Sequence, residues 1–370
     1  MYENVRKWKM LSLFNKLKMS MNVGKEIILA KYFGKIVSIS IKVFITNKCN
    51  LNCSYCYPII NKGIRKFGRN MSKEELFQLF DELAKLGNEG GSSSGRGTID
   101  ERRFGEIVDY VKSKDILCEA ITNGYYVADK IDEVDKLNSI CISIDGNEEE
   151  TDYYRGRGCY KKAMEAIKLC SERGIPTRLH SVITRINKDS LNALEIAKEY
   201  GAGITVSPII TNEYCGIKYD PEICLSRDET KELFERLLEY KLNGYPINFS
   251  CNTLKYFIDY PFEDYDEVIK KGDSRLKRLS GRKSKIPLCK RMYLSPEMEA
   301  DGTIYPCATL MHAPNSPNVR EMGLMESLVG LKDMECATCG SITDQELNSL
   351  LNMNLNTVRE VVKYFFTSVR

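Results

Sequence analysis

Cys49, Cys53 and Cys56 stand at C-x3-C-x2-C on one short stretch. Three thiolates on one loop can hold three irons of a cubic 4Fe–4S cluster and leave the fourth iron without a protein ligand. An open iron is a place for a substrate or cofactor. Structural zinc takes four ligands, usually from paired CxxC knuckles, and a lone triplet suits it poorly. A second set follows far downstream as Cys289-x12-Gly302-x4-Cys307 and then Cys336-x2-Cys339. Asp301-Gly302 between Met298-Glu299-Ala300 and Thr303-Ile304-Tyr305 is a tight-hairpin signal that would bring Cys289 and Cys307 together. On spacing alone, four such thiolates suit a tetrahedral zinc or a fully ligated 4Fe–4S cluster equally well.

Composition narrows the setting. The chain has 370 residues, a net charge of +3, 14 cysteines and 2 histidines. Its length suits a barrel with an appendage. So small a charge gives no reason to expect nucleic acid as a partner. With two histidines, His180 and His312, a histidine-rich metal site is excluded. With no cleavable secretory signal ahead of them, the cysteines are expected as free thiols and metal ligands in a reducing cytosol. No apolar stretch is long enough to span a membrane.

The elements that must position the cysteines alternate. Ile39–Ile45 reads as a strand leading straight into the first cysteine loop. Ser72 and Glu75 form a capping box for a helix to about Leu86. A helix from about Glu101 to Lys114, a strand Ile116–Ile121, a helix from about Lys130 to Leu137 and a buried strand Ser139–Ile144 follow. Then come a helix from about Tyr160 to Arg173, a strand Thr177–Ile183, a helix from about Ser190 to Tyr200 and a strand Ile204–Ser207. Such alternation predicts a parallel α/β barrel. Six strands result if one lies between Leu86 and Glu101. Ser226 and Glu229 cap a further helix, Arg227–Leu242. The charged run from Lys270 to Arg278 reads as a linker or lid. Thr343–Val369 predicts a helix with Leu347, Leu350, Leu351 and Leu355 on one face.

A strand running into C-x3-C-x2-C, with an aromatic just before the last cysteine, resembles the radical S-adenosylmethionine (SAM) superfamily. The resemblance runs from about Ser38 to Cys339. It implies an α/β fold, a partial (βα)6 TIM-like barrel. It also implies a 4Fe–4S cluster on Cys49, Cys53 and Cys56 whose open iron chelates SAM, and reductive cleavage of SAM to a 5′-deoxyadenosyl radical. Thr122-Asn123-Gly124, Ser143-Ile144-Asp145-Gly146 and Asp152-x-x-Arg155-Gly156 resemble motifs of the peptide-modifying branch, which makes Asn123, Ser143 and Arg155 candidate SAM contacts. C-x12-G-x4-C with a later CxxC resembles the twitch domain, the short form of the SPASM domain. It implies a small C-terminal iron–sulfur domain with one auxiliary 4Fe–4S cluster on Cys289, Cys307, Cys336 and Cys339. The implied partners are a peptide or small-molecule substrate and an external one-electron reductant such as a flavodoxin or ferredoxin.

The domain layout expected is an N-terminal basic amphipathic helical extension (1–37), the barrel (38–210), a helical connection (211–285), the auxiliary-cluster domain (286–340) and a C-terminal helix (341–370). In the extension, Val5, Trp8, Leu11, Phe14 and Leu17 recur at helical spacing among Arg6, Lys7, Lys9, Lys16 and Lys18. That helix either covers the barrel or lies on an anionic membrane surface, so the cytoplasmic location includes membrane association as an alternative. One departure from the family stands out. Its usual second strand ends in Gly-Gly-Glu-Pro, which binds the SAM amino group. Here residues 87–100 form a Gly/Ser run with no apolar alternation, and Arg96 stands where the Glu belongs. An arginine repels the SAM ammonium. Weakened SAM binding is therefore expected. The alternative function is a catalytically impaired or non-enzymatic iron–sulfur protein. His180 reads as a core or rim histidine or as a pocket residue. Cys215, Cys224 and Cys251 read as buried or redox-active thiols.

Overall fold

The computed structural model describes residues 24–25, 27–29, 32–33, 38, 40–56, 68–86, 102–209, 211, 219–265, 267–279, 289–290 and 294–360. The amphipathic extension residues Val5–Lys18, the Gly/Ser run with Arg96, Cys215 and the end of the C-terminal tail lie outside them.

In chain order the barrel segment contains β1 (Lys42–Val43), α1 (Lys73–Lys85), α2 (Phe104–Ser113), β2 (Glu119–Thr122), α3 (Ile131–Val134), β3 (Ser139–Ser143), α4 (Glu148–Arg155), α5 (Cys159–Arg173), β4 (Thr177–Ile183), α6 (Asn192–Glu199) and β5 (Gly203–Pro208). Strands β2 to β5 form one parallel sheet in chain order. Helices of the right spacing cover it. Leu76, Leu79, Phe80 and Leu83 of α1 recur at i, i+3, i+4 and i+7 and are all buried in the common core. The capping box is formed as the sequence predicts, with Glu75 N donating to Ser72 Oγ (3.2 Å) and Ser72 N to Glu75 Oε2 (2.7 Å). The turn after β2 packs closely on α5. A Cβ on Gly124 would sit 2.9 Å from Ala163 Cα, and its φ of +90° already favours glycine.

β1 is paired on a different side. It runs parallel to β7 (Glu297–Met298), which pairs antiparallel with β8 (Ile304–Tyr305) across the predicted Asp301-Gly302 turn. Ser40, Lys42 and Phe44 donate their N–H groups to Leu294, Pro296 and Met298. The C-terminal hairpin thus extends the barrel edge at β1. An ion pair from half-buried Lys42 Nζ to buried Glu297 Oε1 at 2.7 Å locks the join.

Beyond the barrel come α7 (Arg227–Leu242), α8 (Cys251–Ile258), β6 (Val268–Lys270), α9 (Ser274–Leu279), then β7, β8, α10 (Val319–Met322), α11 (Leu324–Gly330), β9 (Cys336–Cys339) and α12 (Ile342–Leu351). Four expectations need correction. Asp152 and Arg155 lie on α4, a helix the sequence reading passed over although Asn147-x-x-Glu150 forms its capping box. Cys251 opens α8, likewise unread. The charged run from Lys270 is neither linker nor lid, because Lys270 pairs with Cys336 in the β6–β9 ladder and Ser274–Leu279 is helical. The buried face of α12 holds Gln345, Asn348 and Ser349 as well as Ile342 and Leu351, whereas Leu355 is 80% exposed. The reason is local. The surface that α12 covers offers backbone and hydroxyl groups, so polar side chains are needed to satisfy it.

Candidate functional site

The first cysteine loop leaves β1 and is held from behind. Cys56 N donates to Cys53 O (3.0 Å), which closes a turn around the last two thiols. Between them Tyr55 points inward and donates its hydroxyl to Asp145 Oδ2 (2.5 Å). Asp145, at the end of β3, also accepts from Arg155 Nε (2.7 Å) and Nη2 (2.9 Å) and from Val182 N (3.0 Å). Arg155 and Asp145 are both buried, and the guanidinium stands 5.5 Å from the Tyr55 ring centre. One carboxylate therefore ties together the cysteine loop, β3, α4 and β4. Ser54 N to Tyr154 O (3.0 Å) adds a second strap.

Cys49 is exposed and Cys53 buried. Burial pushes the Cys53 thiol up to about 12, with Arg155 opposing and Cys56 and Cys49 adding to the rise. The mutual influence places the three sulfurs in one neighbourhood. Thiolates crowded in this way need a cationic partner to exist as anions, and an iron–sulfur cluster supplies one, so the donor set fits such a cluster. Asn123, at the end of β2, reaches the same loop. Its Nδ2 donates to Asn50 Oδ1 (2.8 Å) and lies 4.0 Å from Cys49 Sγ.

Below the loop the barrel interior is polar. Lys42, Glu119, Cys141, Ser143, Arg178, His180 and Thr205 sit on the strand faces opposite the residues buried in the main core. Arg178 donates to Glu119 Oε1 (2.5 Å) and to Thr205 Oγ1 (3.1 Å). Thr205 donates its own proton to Leu179 O (3.2 Å). His180 Nδ1 lies 3.0 Å from the same Thr205 oxygen. Because that hydroxyl proton is spent, His180 must be the donor. This assigns the Nδ1–H tautomer and leaves Nε2 as an acceptor. Burial, then the charges of Arg178 and Arg155, lower His180 to about 3, so the ring is neutral. In the β3–β4 register His180 stands opposite Ser143, the half-buried last residue of β3.

The downstream cysteines converge by a different construction. β9 carries Cys336 and Cys339 and pairs antiparallel with β6. Cys289 N donates to Ala337 O (2.7 Å), which lays the first thiol beside the knuckle. Cys307 follows the β7–β8 hairpin. Burial raises both Cys336 and Cys339, the latter to about 12, and each is raised further by Cys289 and Cys307. The polar face of α12 staples all three segments. Gln345 Nε2 donates to Cys339 O (2.9 Å), Asn348 Oδ1 accepts from Lys290 N (2.9 Å) and Asp344 Oδ2 accepts from Thr309 Oγ1 (2.9 Å). Among the described residues no three His, Cys, Asp or Glu side chains close around a single metal ion.

Residues 43–195 match the Radical SAM superfamily. This stretch, which holds the first cysteine loop and strands β2 to β4, is a radical SAM domain. Relatives of the chain include the Fe-coproporphyrin III synthase of Methanosarcina barkeri, 31% identical over 154 residues, which is 40% of this chain and 38% of that protein. The sporulation killing factor maturation protein SkfB of Bacillus subtilis is 31% identical over 160 residues, 42% of this chain and 38% of that protein. The chain therefore spans well under half the length of these relatives. Among solved structures, SuiB of Streptococcus suis bound to S-adenosylmethionine aligns with a TM-score of 0.59 at 16% identity, over 80% of this chain and 67% of that one. Native anSMEcpe with bound AdoMet aligns at 0.59 and 17% identity, over 80% of this chain and 81% of that one. These likenesses establish the fold, a partial TIM-like radical SAM barrel of parallel strands followed by a C-terminal domain.

Within this radical SAM barrel the residues expected to touch SAM part company. Asn123 reaches the cysteine loop, and Ser143 ends β3 opposite His180. Arg155 does not face it freely. It is neither a surface ion pair nor an open contact, because Asp145 holds it from two nitrogens. Sequence reasoning named Asp145 only as part of a strand-ending turn. It missed the roles of Lys42, Glu119 and Arg178. Their signal was available, since charged residues at alternate positions of otherwise apolar strands mark a polar lumen.

Proposed function

We propose that the chain is a radical SAM enzyme with two 4Fe–4S clusters that cleaves SAM reductively and oxidises or cross-links a peptide or small-molecule substrate. The observation carrying this reading is the double gathering of thiols. Cys49, Cys53 and Cys56 share one strand-end loop, while Cys289, Cys307, Cys336 and Cys339 converge in a domain stapled to the barrel. A peptide substrate draws support from the maturation-protein relative and from the fold neighbour SuiB, solved with the precursor peptide SuiA. The electron would come from an external reductant such as a flavodoxin or ferredoxin.

When bound, the two clusters and SAM supply a 5′-deoxyadenosyl radical at the first site and electron acceptance at the second. The protein's own part is positional. Asp145, through Tyr55 and Arg155, fixes the back of the first loop. Tyr55, Tyr154 and Ile209 form an apolar patch that keeps water from that side. In this reading Asn123 and Ser143 would hold polar groups of SAM, and His180 Nε2 would offer a neutral acceptor to a donor in the barrel.

The second reading, an impaired or non-enzymatic iron–sulfur protein, rests on Arg96 in place of the SAM-binding glutamate. Anaerobic reconstitution with iron and sulfide, then chemical reduction and measurement of 5′-deoxyadenosine from added SAM, decides between them. Deoxyadenosine release supports the enzyme. Both clusters loaded with no deoxyadenosine supports the second reading, and bound zinc at the C-terminal site removes the auxiliary cluster from either.

A further inference from the structure

α8 carries Tyr256, Tyr260 follows just past its C-terminal end, and Tyr265 comes before β6. Their rings form one stack, with Tyr260 and Tyr265 centred 4.5 Å apart at 14° and Tyr256 meeting Tyr260 edge-on at 5.8 Å. Tyr265 spends its hydroxyl on Phe257 O (2.5 Å). The hydroxyls of Tyr256 and Tyr260 are both buried, and neither finds a hydrogen-bond partner among the described residues. A buried hydroxyl left unpaired is costly, and two in one cluster call for a partner beyond the described residues.

The neighbourhood says what that partner is. Cys339 lies opposite Val268 in the β6–β9 ladder. Gly340, the next residue, presses on Tyr265 so closely that a Cβ there would fall 1.8 Å from the Tyr265 carbonyl oxygen. The tyrosine stack is thus seated directly against the Cys-x-x-Cys knuckle. Thr338, between the two cysteines, faces Tyr256; its hydroxyl oxygen accepts from Gln345 (2.8 Å), so toward Tyr256 it can only donate, and the Tyr256 proton stays unspent. A phenol keeps its proton at neutral pH. Each therefore holds an unspent proton next to a site built for sulfur.

We propose that Tyr256 and Tyr260 donate their hydroxyl protons to sulfur of the cluster held by Cys289, Cys307, Cys336 and Cys339, and so raise its reduction potential. The proposal rests on the auxiliary-cluster reading above. Reduction adds negative charge to a cluster, and a donor aimed at its sulfurs stabilises the reduced form more than the oxidised one. Both tyrosines are tuning residues and touch no substrate.

The test uses the full chain, reconstituted anaerobically, in a Cys49→Ala/Cys53→Ala/Cys56→Ala background so that one cluster is observed. An EPR-monitored redox titration gives its midpoint, and proton ENDOR in H2O and D2O reports exchangeable protons coupled to it. The Tyr256→Phe/Tyr260→Phe double variant is expected to show a more negative midpoint and to lose an exchangeable coupling seen in the parent. Tyr265→Phe, whose hydroxyl is already committed to Phe257, should keep both. An unchanged midpoint with the exchangeable coupling retained in the double variant overturns the proposal. Metal analysis separates the two layers of the argument. Zinc without iron in the parent sinks the auxiliary-cluster reading itself, whereas iron with no change on mutation sinks only the tyrosine assignment.

Discussion

Asp145 accepts from Tyr55, from two nitrogens of Arg155 and from Val182 N, and it is fully buried. Replacing it with Asn leaves the buried Arg155 charge unpaired, which costs about 3–5 kcal/mol. Urea unfolding of Asp145→Asn should show a loss of that size, together with poorer iron uptake at the first site. A loss below about 1 kcal/mol would mean that Arg155 finds another partner. His180 makes a prediction of opposite character. Its ring stays neutral in the fold down to about pH 3, while in the unfolded chain it binds a proton below its ordinary value of 6.5. The unfolded state then binds more protons between these limits, so stability falls as pH drops through that window, by at most about 1.4 kcal/mol per pH unit. His180→Gln should flatten this part of the stability profile relative to the parent. With only two histidines in the chain, 15N-histidine spectra also check the tautomer, and an Nε2–H ring at His180 would refute the assignment. Both residues show where sequence reading stops. The period-2 pattern of Thr177–Ile183 places His180 on a face, but its proton is fixed by Thr205 on the next strand. Likewise Arg155 is visible in its motif, while its partner becomes visible only when β3 and α4 fold together.

At the level of elements, local signals were legible and long-range ones were not. Ser72 with Glu75, Ser226 with Glu229 and the Asp301-Gly302 turn formed as the sequence predicts, because each device is complete within four to six residues. Asn147 with Glu150 is an equally local device, the capping box that opens α4. α12 is the long-range case. Its leucines suggest an apolar face, yet the groups it must satisfy are Cys339 O, Lys290 N and Thr309 Oγ1, which come from three separated segments. Gly340 carries the sharpest expectation at this scale. Any Cβ there meets the Tyr265 backbone at 1.8 Å from O and 2.6 Å from C, and backbone cannot swing aside as a side chain can. Gly340→Ala should destabilise the protein by about 1–3 kcal/mol. Under the two-cluster reading it should also lower bound iron from about eight atoms per chain toward about four. Full iron loading and unchanged stability would show that the β9 turn yields more easily than the contact implies.

Across the whole molecule, β1 and β2 are not neighbours in any described sheet. β1 pairs with β7, and β2 begins the four-stranded parallel sheet. The family's strand that would stand between them corresponds to residues 87–100, where the sequence offers Gly, Ser and Arg96 in place of apolar alternation and a glutamate. Among the described residues the cysteine loop, its Asp145 strap, Asn123 and Ser143 at strand ends and a polar interior are in place. SAM should therefore meet an intact cluster loop but lack the carboxylate that pairs with its ammonium. A charge-assisted hydrogen bond contributes about 1.5–3 kcal/mol, so its loss corresponds to roughly 10–150-fold weaker binding. Arginine in that place adds repulsion to the loss. Titration of the anaerobically reconstituted protein with SAM, followed through the EPR signal of the first cluster, measures the deficit. Arg96→Glu is the decisive variant. If Arg96 occupies the glutamate's position, the substitution removes a repulsive charge and supplies the missing partner, and binding should tighten by at least tenfold. If the parent already binds SAM tightly and Arg96→Glu changes nothing, the ammonium is held by another group, and the Gly/Ser run is a variant of the loop and not a lesion in it.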